Sequence, residues 1–251
     1  MNCLIDRVFR LAVVAALLLL TGCAGAATAE QPPAPAFPVA ATPPMQAQPV
    51  VTATPVPAVT GGDAAAHVKA GDAALKAKNL ANAEQEYKAA IAIDTASADA
   101  NFGLGNVYVQ GGRLNEAQAA YQAALSANPN MVSAHANLGM AYYQIGQFAK
   151  AVEQYNLVLQ VNPRDAETLY LLAAVRLQEK NYPEAEQLLL RARDIKPDLP
   201  EIYCGLGTFY QMQGQKDQAV ATFEKFLQIG PGQDPLAKGY AEQQLRQLKG
   251  Q

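Results

Sequence analysis

The stretch Asn137-Leu-Gly-Met-Ala-Tyr-Tyr-Gln-Ile-Gly-Gln-Phe-Ala-Lys-Ala-Val-Glu-Gln-Tyr155 decides how this chain folds. Gly146 breaks the chain between two apolar helical runs, so the stretch reads as a helix, a tight turn and a second helix. Gly139 stands inside the first run, where glycine costs about 1 kcal/mol relative to alanine. A close helix crossing is the expected reason, with Gly139 facing Ala151 and Tyr155 filling the next layer.

Outward from this stretch the same residue types return every 34 positions. Pro129, Pro163, Pro197 and Pro231 share one phase, and Ala83, Ala117, Ala151, Ala185 and Ala219 share another. Gly71, Gly105, Gly139 and Gly207 recur together, with Ala173 in the remaining place. Leu104, Leu138, Leu172 and Leu206 keep step, as do Tyr87, Tyr121, Tyr155, Leu189 and Phe223. A fixed period of this length marks a stack of like supersecondary units.

The chain here resembles the tetratricopeptide repeat, without insertion or deletion over residues 64–233. The repeats run 64–97, 98–131, 132–165, 166–199 and 200–233. The resemblance implies an all-α, right-handed superhelical solenoid of five helix-turn-helix repeats. One such hairpin cannot bury its own apolar face, so stacking neighbours makes the core. Three features depart from the family pattern. Thr95 stands where proline is expected, Ala74 and Arg176 occupy a slot for a large residue, and the slot for tryptophan near each repeat start holds His67, Asn101, His135, Leu169 and Tyr203. Beyond the fifth repeat, Asp234-Pro235 reads as N-cap and first helical residue. Ala237, Ala241, Leu245 and Leu248 then form one apolar stripe, which predicts a capping helix over residues 234–249.

The front of the chain reads as an address. Arg7 and Arg10 precede residues 11–20, ten residues with no polar group. That is the layout of a secretory signal peptide, and the run is far short of the roughly 20 apolar residues that span a membrane. Leu20-Thr21-Gly22-Cys23 follows at once and resembles the lipobox of bacterial lipoproteins. The resemblance implies cleavage after residue 22, diacylglycerol on the Cys23 sulfur and an extracytoplasmic, lipid-anchored protein. Two or three acyl chains together hold a protein stably on a bilayer. Ala24 is not an acidic retention signal, which favours the outer membrane where a cell has two. Nine of the chain's 16 prolines lie in residues 24–62, where Glu30 is the one charged residue. With no periodic apolar face, residues 23–62 read as a disordered, proline- and alanine-rich tether that favours extended polyproline-II backbone. Asp63 is a good N-cap for the first helix.

Catalytic chemistry is hard to find. A net charge of −3 lacks the basic excess of a nucleic-acid binder. The cysteines Cys3, Cys23 and Cys204 are too scattered for a metal cage. His67 and His135 sit two repeats apart, on the order of 20–40 Å given helix spacings of 8–10 Å, and read as packed core histidines. Asp99, Glu167 and Glu201 share one register position, but paired carboxylates need a closed pocket to do acid–base work. Cys204 reads as a small apolar residue of the inner face. The expectation is a chain with no enzymatic activity, cofactor, metal or nucleic acid.

In the family, the first helices of successive repeats line a concave groove that captures peptides or helices. Carried onto this chain, that implies Phe102, Asn106, Val109, Ala136, Met140, Tyr143, Tyr170, Ala174 and Leu177 as solvent-facing lining, with Asn106 and Asn137 placed to grip a peptide backbone. The chain is thus expected to be a membrane-anchored scaffold for another cell-envelope protein, serving assembly of a secretion, pilus or cell-wall machine. The rival readings are a wall-processing hydrolase, which needs a convergent nucleophile and base, and a small-ligand receptor, which needs a closed pocket.

Overall fold

The computed structural model describes residues 63–230 and 235–250. The expected signal peptide, Cys23, the tether, Pro231 and the N-cap Asp234 lie outside the described residues. Among those described there are eleven α-helices and no strand. They are α1 (Ala64–Lys76), α2 (Leu80–Ile93), α3 (Ala98–Gln110), α4 (Leu114–Ala127), α5 (Val132–Gln144), α6 (Phe148–Val161), α7 (Ala166–Gln178), α8 (Tyr182–Ile195), α9 (Pro200–Met212), α10 (Lys216–Ile229) and α11 (Pro235–Lys249). Asp63 starts the array as expected, its carboxylate accepting from the Ala65 amide at 3.0 Å. Each first helix packs on the second helix of its own repeat, and each second helix on the next first helix.

Ala83, Ala117, Ala151, Ala185 and Ala219 have no exposed surface, so the alanine phase marks the tightest seam. The glycine phase has a different partner from the one expected. Gly139 faces the ring of Tyr155 rather than Ala151, and a Cβ there would lie 2.7 Å from the ring edge. The same holds for Gly71 against Tyr87, Gly105 against Tyr121 and Gly207 against Phe223. The missing side chain makes room for an aromatic ring. Repeat four has Ala173 in this place, and there the ring gives way to the slimmer Leu189, also fully buried.

The turn between helices needs one left-handed residue. Gly112, Gly146 and Gly214 supply it with φ of 73°, 77° and 70°, and Lys78 and Lys180 adopt it at 61° and 59°. A side chain in that region costs roughly 1–2 kcal/mol. The turn between repeats is held by a device independent of proline. Asp94, Asn128 and Asn162 each accept from the backbone amide two residues on, at 3.0–3.2 Å. Thr95 can therefore replace proline without loss of the turn.

The histidines are not core residues. His67 is part-buried with Nδ1 2.8 Å from Glu86 Oε2, and His135 places Nδ1 2.7 Å from Gln154 Oε1 and Nε2 2.9 Å from the Pro129 carbonyl. Tyr203, in the same slot, donates to the Pro197 carbonyl at 2.8 Å. Where the slot holds Leu169, Arg191 donates to the Pro163 carbonyl instead, at 2.6 Å. In repeats three and five the slot satisfies a proline carbonyl that the repeat boundary would otherwise leave to water.

Helix α11 covers the last repeat with the predicted stripe. Ala241 and Leu245 are buried, Ala237 and Leu248 are partly so, and Tyr240 meets the Phe223 ring edge-on at 6.0 Å. The stripe is wider than apolar spacing predicts, because buried Gln244 accepts from Gln211 at 2.6 Å.

Candidate peptide-binding groove

The first helices α1 and α3, α5 and α7, and α7 and α9 touch directly across the repeats, whereas no pair of second helices comes as close. The first helices therefore lie on the inside of the curve and form the concave face. At the centre of that face are Asn106 on α3 and Asn137 on α5. The Tyr121 hydroxyl donates to Asn106 Oδ1 at 2.8 Å, and Asn137 Nδ2 donates to the same oxygen at 2.8 Å. One carbonyl thus takes two donors, and both amides are locked in orientation. The Asn106 NH2 and the Asn137 carbonyl have no partner among the described residues and belong to half-buried side chains. Together they present one donor and one acceptor, the complement of a single peptide unit. Burial pushes the Tyr121 hydroxyl well above its ordinary pKa, so it remains a donor. In repeat one Asp72 replaces the asparagine and accepts from Tyr87 at 2.6 Å, which leaves no amide there.

Phe102 and Leu177 are partly exposed, as expected of groove lining, and so are Val109, Ala136 and Ala174. Phe102 lies against Tyr121, with ring centres 5.8 Å apart. Met140, Tyr143 and Tyr170 depart from the expectation of solvent-facing residues, with only 5%, 8% and 6% exposure. Contact between first helices is the reason, since α7 approaches α5 and α9 approaches α7. Tyr143 packs on Phe148 at 5.8 Å and its hydroxyl is reached by Gln178 from α7. Tyr170 lies under α9, where a Cβ on Gly205 would come within 3.0 Å of its ring. These three residues are core first and offer a ligand only an edge.

Register also places Gln110, Gln144 and Gln178 on this face, each the last residue of its first helix and each 34 from the next. That recurrence is readable in the sequence, yet a search for charged and aromatic anchors passes over it. Gln110 Nε2 is buried with no acceptor among the described residues. In repeats two to four the centre of this face is uncharged, at Phe102, Asn106, Val109 and Gln110; Ala136, Asn137, Met140, Tyr143 and Gln144; Tyr170, Ala174, Leu177 and Gln178, with Asp99 and Glu167 at its border.

Charge is confined to the edges, where Glu167 pairs with Lys196 at 3.0 Å. Among the described residues no group of three His, Cys, Asp or Glu could hold a metal, and no helix is long and apolar enough to cross a membrane.

Models of the tetratricopeptide repeat match residues 137–200, and 74–125 with 176–245; a further TPR-repeat model matches 105–146. No curated protein matches the chain by sequence. Among solved structures the chain is similar to PilF of Pseudomonas aeruginosa (TM-score 0.62, 21% identity, covering 74% of this chain and 91% of that one). It is also similar to YrrB, described as a TPR protein with an unusual peptide-binding site (0.58, 22%, 72% and 92%). A third is MamA (0.58, 23%, 63% and 93%). At these identities the likeness establishes the fold.

Proposed function

Since the chain belongs to the tetratricopeptide-repeat family, we propose that it is a non-catalytic scaffold holding an extended segment of another protein across repeats two to four. The observation that carries this reading is the locked Asn106–Asn137 pair, which offers a donor and an acceptor to one peptide unit. Phe102 and Leu177 flank it with apolar surface for side chains. The peptide-binding site named for YrrB is consistent with such a use of the fold. A photo-crosslinking residue at Val109 should give a discrete adduct with the partner in cells. The double substitution Asn106→Ala and Asn137→Ala should weaken that adduct about tenfold or more, the loss of one or two well-placed hydrogen bonds. Undiminished adduct in a folded double variant would remove the groove from this role.

The sequence further supports attachment to the outer side of a membrane through lipidated Cys23, with residues 24–62 as spacer and another cell-envelope protein as partner. Assembly of a secretion, pilus or cell-wall machine is the process this placement suits. Cys23→Ser should release the protein from the membrane fraction with its fold intact, read by fractionation and mass spectrometry of the mature N-terminus. An unmodified Cys23 in the native protein would overturn the anchor.

A further inference from the structure

We infer that residues 31–62 of this same chain dock in the groove of repeats two to four and that an external partner must displace them. This rests on the groove being a peptide site and names its resident occupant.

Charge is the first argument. Residues 31–62 contain no charged side chain, and in repeats two to four the groove carries charge only at its border, at Asp99 and Glu167. Contact along the centre of the groove desolvates no charge, whereas an average segment of that length, about one quarter charged, would have to bury several.

Hydrogen-bond stoichiometry is the second. Pro32, Pro33, Pro35, Pro38, Pro43, Pro44, Pro49, Pro55 and Pro57 have no N–H, so the segment has nine more backbone acceptors than donors. Polyproline-II backbone makes no internal hydrogen bonds and relies on outside donors for its carbonyls. The groove holds a donor of the required kind: Asn106 Nδ2, on a half-buried side chain, has no partner among the described residues. Partly exposed Phe102 supplies an aromatic surface of the sort that proline-rich segments favour.

Reach is the third. The segment runs into Asp63, the N-cap of α1. At about 3.1 Å per residue its 32 residues extend roughly 100 Å. Helix spacings of 8–10 Å put repeats two to four within roughly 20–60 Å of that point. A tether of this kind gives an effective concentration on the order of 1 mM.

The test uses the full chain with Cys23→Ser to keep it in solution, and a fluorescent synthetic peptide of residues 31–62 as probe. In one protein residues 31–62 are native; in the other they are Gly-Ser repeats of equal length. The Gly-Ser protein should bind the peptide with a Kd on the order of 100 µM. The native protein should bind it about tenfold more weakly, as 1 mM of tethered competitor predicts. Adding Asn106→Ala and Asn137→Ala to the Gly-Ser protein should abolish binding without unfolding it. Equal affinity for both proteins, or no saturation of the Gly-Ser protein, would overturn the inference. So would a native protein that excludes the peptide only as a concentration-dependent dimer. If the Gly-Ser protein ignores the peptide yet still crosslinks to a partner through Val109, the scaffold function survives and only the resident segment is refuted.

Discussion

Repeats three and four stand side by side in the array and close the same helix crossings with different residues. In repeat three, Gly139 is empty to admit the Tyr155 ring, and Tyr142 faces Lys150, whose Nζ lies 5.4 Å from the ring centre. In repeat four the first pair becomes Ala173 with Leu189, and the second becomes Arg176 with Glu184. Arg176 Nε lies 2.9 Å from Glu184 Oε2 as an ion pair without hydrogen-bond alignment, while its Nη1 donates to Glu179 at 2.6 Å. Arg176 looks irregular on its own and ordinary beside its partner slot. The first pair trades ring for side-chain volume on the facing helix, and the second exchanges a cation–ring contact for an ion pair; neither position alone is fixed. Lys180 differs in kind, since it holds a left-handed φ of 59° where repeat three has Gly146.

The largest expected effect lies in the core that both repeats share. Tyr155→Ala should cost about 3–5 kcal/mol, as other buried aromatic truncations do, and lower Tm by on the order of 10 °C. Tyr143→Ala and Tyr170→Ala should fall in the same range because both tyrosines are buried. Thermal melts showing either variant within a degree or two of the parent would return that tyrosine to the solvent side.

Next comes the ring-and-glycine pairing. Leu189→Tyr should cost about 2–3 kcal/mol by overpacking Ala173, and Ala173→Gly added to it should recover most of the loss. Denaturant unfolding of both singles and the double gives the coupling, expected above about 1 kcal/mol. Strict additivity would show that the two slots do not touch. Gly139→Ala in repeat three should cost about 1–2 kcal/mol, since steric overlap with Tyr155 outweighs the gain in helix propensity.

A smaller effect tests the charged pair. Glu184→Lys should cost about 1 kcal/mol by setting a cation against partly buried Arg176, and Arg176→Tyr should restore stability by recreating the repeat-three arrangement. The smallest change is a gain. Lys180→Gly should raise stability by roughly 0.5–1 kcal/mol, because glycine adopts positive φ without a Cβ clash. No gain in a denaturation midpoint would mean that Lys180 has a compensating contact.

The placement of helices was legible because each boundary has a local cause. Gly112, Gly146 and Gly214 supply the turns, Asp63 caps the start, and a 34-residue phase repeats the rest. The capping helix was legible for the same reason, from the stripe Ala237, Ala241, Leu245 and Leu248. The groove was only half legible. Helical register does put Phe102, Asn106, Asn137 and Leu177 on the inner face, but register cannot say how closely the next repeat approaches. That distance decided that Met140, Tyr143 and Tyr170 are covered, and periodicity within one repeat contains no information about it.

The sequence by itself determined the all-helical repeat architecture and its cap, because turns, caps and apolar phases act within a few residues of one another. Tertiary structure alone decided three things. It matched Gly139 to Tyr155 instead of Ala151, gave Arg176 its partner in Glu184, and turned Asn106 and Asn137 into one locked amide pair. Each of these joins residues on different helices, where the outcome depends on the crossing geometry of packed surfaces, and a one-dimensional period does not carry that geometry.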